Sequence, residues 1–236
     1  MNDSVHTKNQ ALLHKITKDR ERTNILKKYE QQILVYLVQR MPSWITSNML
    51  TGIGFAGSVV VLGSFALASY FQREWLLLGI LGYAIVWFGD SLDGRLAYFR
   101  NRPRKWYGYT LDFVVDWLAI ILMGAGYILY LSDQQGELVG FGFVVLYGWS
   151  MMIASVRYKL TNRYSIDSGK VGPTEVRIII CLALILEVIV KGSILYFGIG
   201  ACIVLLILNI DDFRRLLKTA DQLDKEEKAA RESKDF

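Results

Sequence analysis

Residues 75–99 read WLLLGILGYAIVWFGDSLDGRLAYF. From Trp75 to Gly89 the stretch carries no charge and no proline, and then Asp90, Asp93 and Arg95 follow within six positions. An apolar run of this length belongs to a helix that crosses a bilayer, which needs about 20 residues. Charge at membrane depth is expensive and usually marks a function. Working outward, comparable runs recur at about 45–71, 107–131, 138–158, 176–190 and 193–210. The first is parted from residues 75–99 only by the polar break at Gln72, Arg73 and Glu74, too short for a domain. The last two are separated only by Lys191 and Gly192 and equally read as one tight helical hairpin. Of the 236 residues, 53% are hydrophobic and 3 are proline, which excludes a disordered, collagen-like or coiled-coil chain. The expectation is an all-α integral membrane protein with six transmembrane helices.

The distribution of Lys and Arg tests that count. Eight precede the first span, five lie between Arg95 and Lys105, five between Arg157 and Arg177, and seven follow Ile210, so 25 of the 27 fall on one side. Arg73 and Lys191 remain on the other. Both termini and the two basic connections are therefore expected in the cytoplasm, a segregation that any odd number of spans would destroy. The net charge of +5 follows this sidedness and does not indicate a nucleic-acid partner. Cys181 and Cys202 lie inside apolar runs and read as small buried hydrophobes, with no disulfide or metal-ligand spacing.

Residues 1–43 form a charged segment with no signal-peptide pattern, in which Ile25, Tyr29, Ile33, Tyr36, Leu37 and Met41 recur at roughly helical spacing. This predicts an amphipathic helix lying on the membrane surface, or alternatively one packed on the protein itself. Residues 44–210 are the expected transmembrane catalytic domain. Residues 211–236 mix both charge signs densely and read as a solvated cytoplasmic tail. Near the opposite membrane face, Glu187 stands four residues before Lys191, the spacing of a helical ion pair.

Four acids carry the chemistry. Asp90 and Asp93 stand three apart and Asp112 and Asp116 four apart, so each pair shares one face of its helix. Two adjacent helices can thus point four carboxylates at one another, and four negative charges cannot stay ionised together without cations between them. All-oxygen ligands are hard and favour Mg²⁺, Mn²⁺ or Ca²⁺ over zinc. A salt-bridge network with Arg95, Arg100, Arg102, Arg104 and Lys105 is the competing explanation, but it has no need of this spacing or of Gly94 and Gly108 beside the acids. Glycine there lets a diphosphate and its base approach the backbone closely.

The string Asp90-Ser-Leu-Asp93-Gly94-Arg-Leu-Ala97, followed by Gly108-Tyr-Thr-Leu-Asp112-Phe-Val-Val-Asp116, closely resembles the signature of the CDP-alcohol phosphotransferase family, D-x-x-D-G-x-x-A-R, then eight or nine residues, then G-x-x-x-D-x-x-x-D. Tyr98 stands where that signature has Arg, so Arg95 or Arg100 would have to substitute for it. Asn48 and Thr51, in the stretch from Pro42 to Thr51, resemble the family's P-N-x-x-T opening of the first helix, with Ser47 in the place of proline. An N-cap and a packing threonine would explain these two residues equally well. Gly172-Pro-Thr-Glu175-Val-Arg177 resembles a further family stretch at the start of the fifth span.

The resemblance implies six transmembrane helices, an amino-terminal surface helix, a cytoplasm-facing site and a homodimer. It implies transfer of a substituted phosphate from a CDP-linked donor to an alcohol with release of CMP, in phospholipid biosynthesis, and Mg²⁺ or Mn²⁺, two ions, as cofactor. Asp90, Asp93 and Asp112 would be metal ligands, and Asp116, in the same metal cluster, the general base. Asn48, Thr51, Asp93, Gly94, Ala97, Gly108 and Asp112 would bind the nucleotide. Arg95, Arg100, Arg157, Glu175 and Arg177 are candidates for the acceptor or a phosphate, and Lys159, Arg163 and Lys170 belong to the same basic group, part of which meets lipid headgroups. CDP-diacylglycerol with a small polar acceptor is the preferred pairing, and a small CDP-alcohol with a lipid acceptor is the alternative. His6 and His14 lie far from the acids, so no Ser–His or Cys–His nucleophile is expected. A divalent-cation transporter would need polar residues continuing across the membrane, and after Asp116 none appears until Tyr127. A non-catalytic, nucleotide-lipid-binding member of the family has the Tyr98 departure as its support.

Overall fold

The computed structural model describes residues 27–161 and 173–232. Seven α-helices are found among them: α1 (Lys27–Arg40), α2 (Ser47–Tyr70), α3 (Leu77–Phe99, entered through a 3-10 turn at Arg73–Leu76), α4 (Lys105–Leu131), α5 (Gln134–Thr161), α6 (Pro173–Ile189) and α7 (Ser193–Glu232). No strand occurs among the described residues. His6, His14, Ile25, Arg163, Lys170 and Gly172 lie outside them.

Among the described residues, five helices are long and apolar enough to cross a membrane: α2, α3 with its 3-10 turn, α4, α5 and α7. Outward residues such as Leu118, Ile121, Val145, Ile203 and Ile207 are exposed, which lipid tolerates and water does not. The chain is a multi-pass membrane protein. The sixth expected span is α6, whose 17 residues extend about 25 Å at 1.5 Å per residue. That is somewhat less than the hydrocarbon core of about 30 Å. The last helix does not stop at Ile210 but runs on as one helix of 40 residues to Glu232, so the expected tail continues the final span.

Helices α2 and α3 cross on small residues, the arrangement by which helices in lipid bring their backbones together. Gly57 on α2 lies so near α3 that a Cβ there would fall 2.8 Å from the Gly82 carbonyl oxygen. At Gly89 on α3 a Cβ would fall 2.6 Å from Gly54 Cα. Beside the crossing, Val61, Phe65, Ala68, Leu76, Tyr83, Leu184 and Ile194 form one apolar core. A second core joins Leu34 and Val38 of α1 to Leu50, Leu92 and Leu96.

This second core packs the amino-terminal helix on the protein, the alternative reading, and modifies its apolar stripe. Leu34, Val35 and Val38 turn inward, with Leu37 and Met41 of the expected stripe packed against the same core, whereas Ile33 and Tyr36 of that stripe are exposed, with Arg40 stacked 3.9 Å above the Tyr36 ring. Leu34 and Val38 lie one turn apart on the face that meets α2 and α3, so packing on the protein selected that face. The expected Glu187–Lys191 pair is also corrected. Glu187 is buried and accepts hydrogen bonds from Tyr130 Oη at 2.9 Å, Gly192 N at 2.9 Å, Ser193 Oγ at 3.2 Å and Ile194 N at 2.8 Å, while Lys191 is exposed. The carboxylate satisfies orphan amides at the start of α7, where the helix dipole favours negative charge. Gly192, at φ +90°, makes the turn that allows it. The two cysteines are half-buried instead of buried, and Cys202 Sγ lies 3.5 Å from the Val139 carbonyl.

Candidate active site

Asp90 and Asp93 lie in the second half of α3, and Asp112 and Asp116 in the first half of α4. The chain reverses between them through residues 100–104, with Asn101 in a left-handed conformation, φ 56°. Antiparallel return is what brings acids late in one helix level with acids early in the next. Asp90, Asp112 and Asp116 each place one carboxylate oxygen within 4.8 Å of the others, and all three are half-buried.

Asp93 lies beside this trio but is directed elsewhere. Its Oδ2 accepts from Thr51 Oγ1 at 2.8 Å, its Oδ1 from the Gly94 amide, and its carbonyl from Ser47 Oγ. Both partners on α2 come from the helix start that the glycine crossing presses against α3, where Thr46 caps the helix by accepting from Met49 N at 3.2 Å. Asn48, one turn before Thr51 on that helix, is exposed and held by Arg104, at the end of the α3–α4 loop, and Tyr107, in the first turn of α4. Arg104 donates to its Oδ1, its Nδ2 donates to Tyr107 Oη at 3.2 Å, and the Arg104 guanidinium lies 4.1 Å from the Tyr107 ring centroid. Gly108 is exposed, and a Cβ there would meet nothing within 4 Å, so there is open space beside the acids. Gly94 and Ala97 are half-buried.

The cationic candidates separate. Arg177, reaching in from α6, pairs with Asp90 Oδ2 and lies within electrostatic range of Asp116 and Tyr147. Glu175 is half-buried in the first turn of the same helix. Arg95 is buried and donates to the Ser91 carbonyl. Arg100 holds the loop ahead of α2, donating to the carbonyls of Ile45, of Pro42 at 2.7 Å and of Met41 at 3.4 Å. Arg157 pairs with Asp212 on α7 at 3.2 Å. Tyr98 is half-buried. Sequence reasoning named Ser47 only as standing in the place of the family's proline, and did not single out Tyr107 or Tyr147. A tyrosine one residue before Gly108 was the available signal for Tyr107, whereas Tyr147 sits in an apolar run and gives none.

Oxygen-only carboxylate donors, gathered closely enough to share a ligand and drawing a guanidinium onto one of them, suit a hard divalent cation. Asp90, Asp112 and Asp116 are the residues that would hold it.

The chain is thus an all-helical, multi-pass membrane protein with a carboxylate cluster contributed by two consecutive helices and open space at Gly108 beside it. A family model described as CDP-alcohol phosphatidyltransferase matches residues 44–207, more than half of the chain. The chain belongs to the CDP-alcohol phosphatidyltransferase family, transferases of phospholipid biosynthesis. No curated protein matches it significantly.

Proposed function

We propose that this protein transfers the phosphatidyl group of CDP-diacylglycerol to a small polar alcohol and releases CMP. The observation that carries the reading is the convergence of Asp90, Asp112 and Asp116 within the segment that the family model matches. Two Mg²⁺ or Mn²⁺ ions held by Asp90, Asp112 and Asp116 would neutralise the diphosphate and stabilise charge as the anhydride breaks.

The remaining roles belong to the chain's own groups. Asp116 takes the proton of the acceptor hydroxyl; the oxygen forms a bond to the lipid-bearing phosphorus, and the bond from that phosphorus to the bridging oxygen breaks, so CMP departs with the electron pair. Asn48, Thr51, Gly94, Ala97 and Gly108 line the nucleotide's place, where glycine and alanine leave room for the cytidine and its phosphates. Arg177 and Glu175 face the acceptor from α6.

The same reading places six spans in the membrane, with α6 as the shortest, and both termini and the site in the cytoplasm. The support is the lopsided Lys and Arg distribution, which an even number of crossings satisfies. Helix α1 lies at the interface, with Ile33 and Tyr36 toward lipid and Leu34 and Val38 toward the protein. The working unit is a homodimer, as the family resemblance implies.

The test is CMP release by protein purified into lipid with Mg²⁺ or Mn²⁺, comparing CDP-diacylglycerol with CDP-choline-type donors across a panel of alcohols. Metal-dependent release from CDP-diacylglycerol supports the reading. Release only from a small CDP-alcohol moves the assignment to a lipid acceptor, and metal-dependent nucleotide binding without release from any donor moves it to a binding protein.

A further inference from the structure

The Arg177–Asp90 pair joins residues 87 positions apart. Both side chains are largely shielded, at 18% and 22% exposure. The oxygen it occupies, Asp90 Oδ2, belongs to one of the three carboxylates that would hold a cation. Three such groups within 4.8 Å repel one another strongly where water is scarce, and a positive charge among them is the remedy. Arg177 supplies it from a separate helix, and Asp116 also feels its field. The neighbouring cations hold other partners: Arg100 the carbonyls before α2, Arg104 the Asn48 amide, and Arg157 the Asp212 carboxylate.

We infer that Arg177 is a built-in counter-cation of the aspartate trio, competing with the divalent cation for Asp90 and leaving that carboxylate when the cation takes its place. The inference rests on the metal reading of the trio. It adds that the site is charge-compensated before metal arrives, so the carboxylates stay gathered instead of splaying apart. It also makes metal affinity a difference between two cations contending for one oxygen. The guanidinium cannot follow the usual route of losing its proton to yield, because arginine remains charged. It must move. Since the pair is also a polar tie between α3 and α6, metal binding and the anchoring of α6 become linked.

The experiment measures Mn²⁺ binding to purified wild-type, Arg177→Met and Arg177→Lys proteins by electron paramagnetic resonance, with no substrate present. Arg177→Met is expected to bind Mn²⁺ roughly tenfold or more tightly than wild type, because a competing unit charge is gone. Arg177→Lys, which keeps the charge, is expected to remain near wild type. A second arm uses wild-type protein alone: modification of Arg177 by phenylglyoxal, followed by mass spectrometry, is expected to be slow in chelator and faster in Mn²⁺. Mn²⁺ affinity in Arg177→Met equal to or weaker than wild type overturns the inference. So does a modification rate that does not rise with Mn²⁺, and this arm decides the matter if the methionine variant fails to fold. Wild-type protein that binds no Mn²⁺ overturns the metal reading itself, a result distinct from binding that Arg177 does not influence.

Discussion

Thr51 on α2 donates a hydrogen bond of 2.8 Å to Asp93 Oδ2 on α3, across a crossing in which Gly54 and Gly89 bring the two backbones together. The bond turns one of four motif carboxylates toward α2 and leaves three to face one another. Removing its donor takes one hydrogen bond from a buried carboxylate that still accepts from the Gly94 amide, which costs about 1–3 kcal/mol. Thr51→Val is therefore expected to lower kcat/KM for CMP release by about ten- to a hundredfold, with Thr51→Ser near wild type. Equal activity in the valine and serine variants would show that the bond serves only packing.

Asp116 is the acid assigned to the acceptor's proton. Asp116→Asn keeps the shape and removes the base, so CMP release is expected to fall about 10²- to 10⁴-fold, the usual worth of general-base catalysis. The measurement is the donor-dependent rate in lipid, with monodispersity on size-exclusion chromatography as the folding control. A loss smaller than about tenfold removes Asp116 from the mechanism.

Two glycines make opposite predictions. A methyl group at Gly89 would press on the backbone of α2, 2.6 Å from Gly54 Cα, so Gly89→Ala is expected to destabilise by about 1–3 kcal/mol, read as a drop in Tm. At Gly108 there is open space, so Gly108→Ala should not lower Tm. If that space admits the nucleotide, the same change raises KM for the CDP donor.

Glu187 and Lys191 separate in the same way. Glu187→Ala leaves the Tyr130 hydroxyl and the Gly192 and Ile194 amides without their acceptor, and is expected to lower Tm without altering KM for the donor. Lys191→Ala should be silent, since Lys191 is exposed and is not a partner of Glu187. A Tm loss of similar size in both variants would restore the ion pair.

Membrane sidedness is accessible to cysteine labelling in oriented vesicles. Single cysteines at Arg73 and at Lys218 are expected to react from opposite faces. Labelling from the same face would refute the even number of crossings.

What was legible in the sequence was whatever repeats along one helix. The apolar runs located the starts of the long helices to within a few residues, because burying an unpaired backbone in lipid is forbidden, but they could not show that α7 continues past its apolar run to Glu232. The spacing of Asp90, Asp93, Asp112 and Asp116 placed each pair on one face, since 3.6 residues per turn is a local property. The sequence alone thus determined an all-helical membrane chain with acids toward the facing ends of two helices.

Relations between helices were decided only by tertiary structure. The stripe read along helix α1 did not include Leu34 and Val38, which went inward because they met Leu50, Leu92 and Leu96. Spacing along α3 could not say that Asp93 would be drawn toward Thr51 while Asp90 met Arg177 from α6. Nor could it say that Glu187 would cap α7 instead of pairing with Lys191. Partners so distant in sequence are chosen by which small residues let helices approach and by which charges must be satisfied once water is excluded.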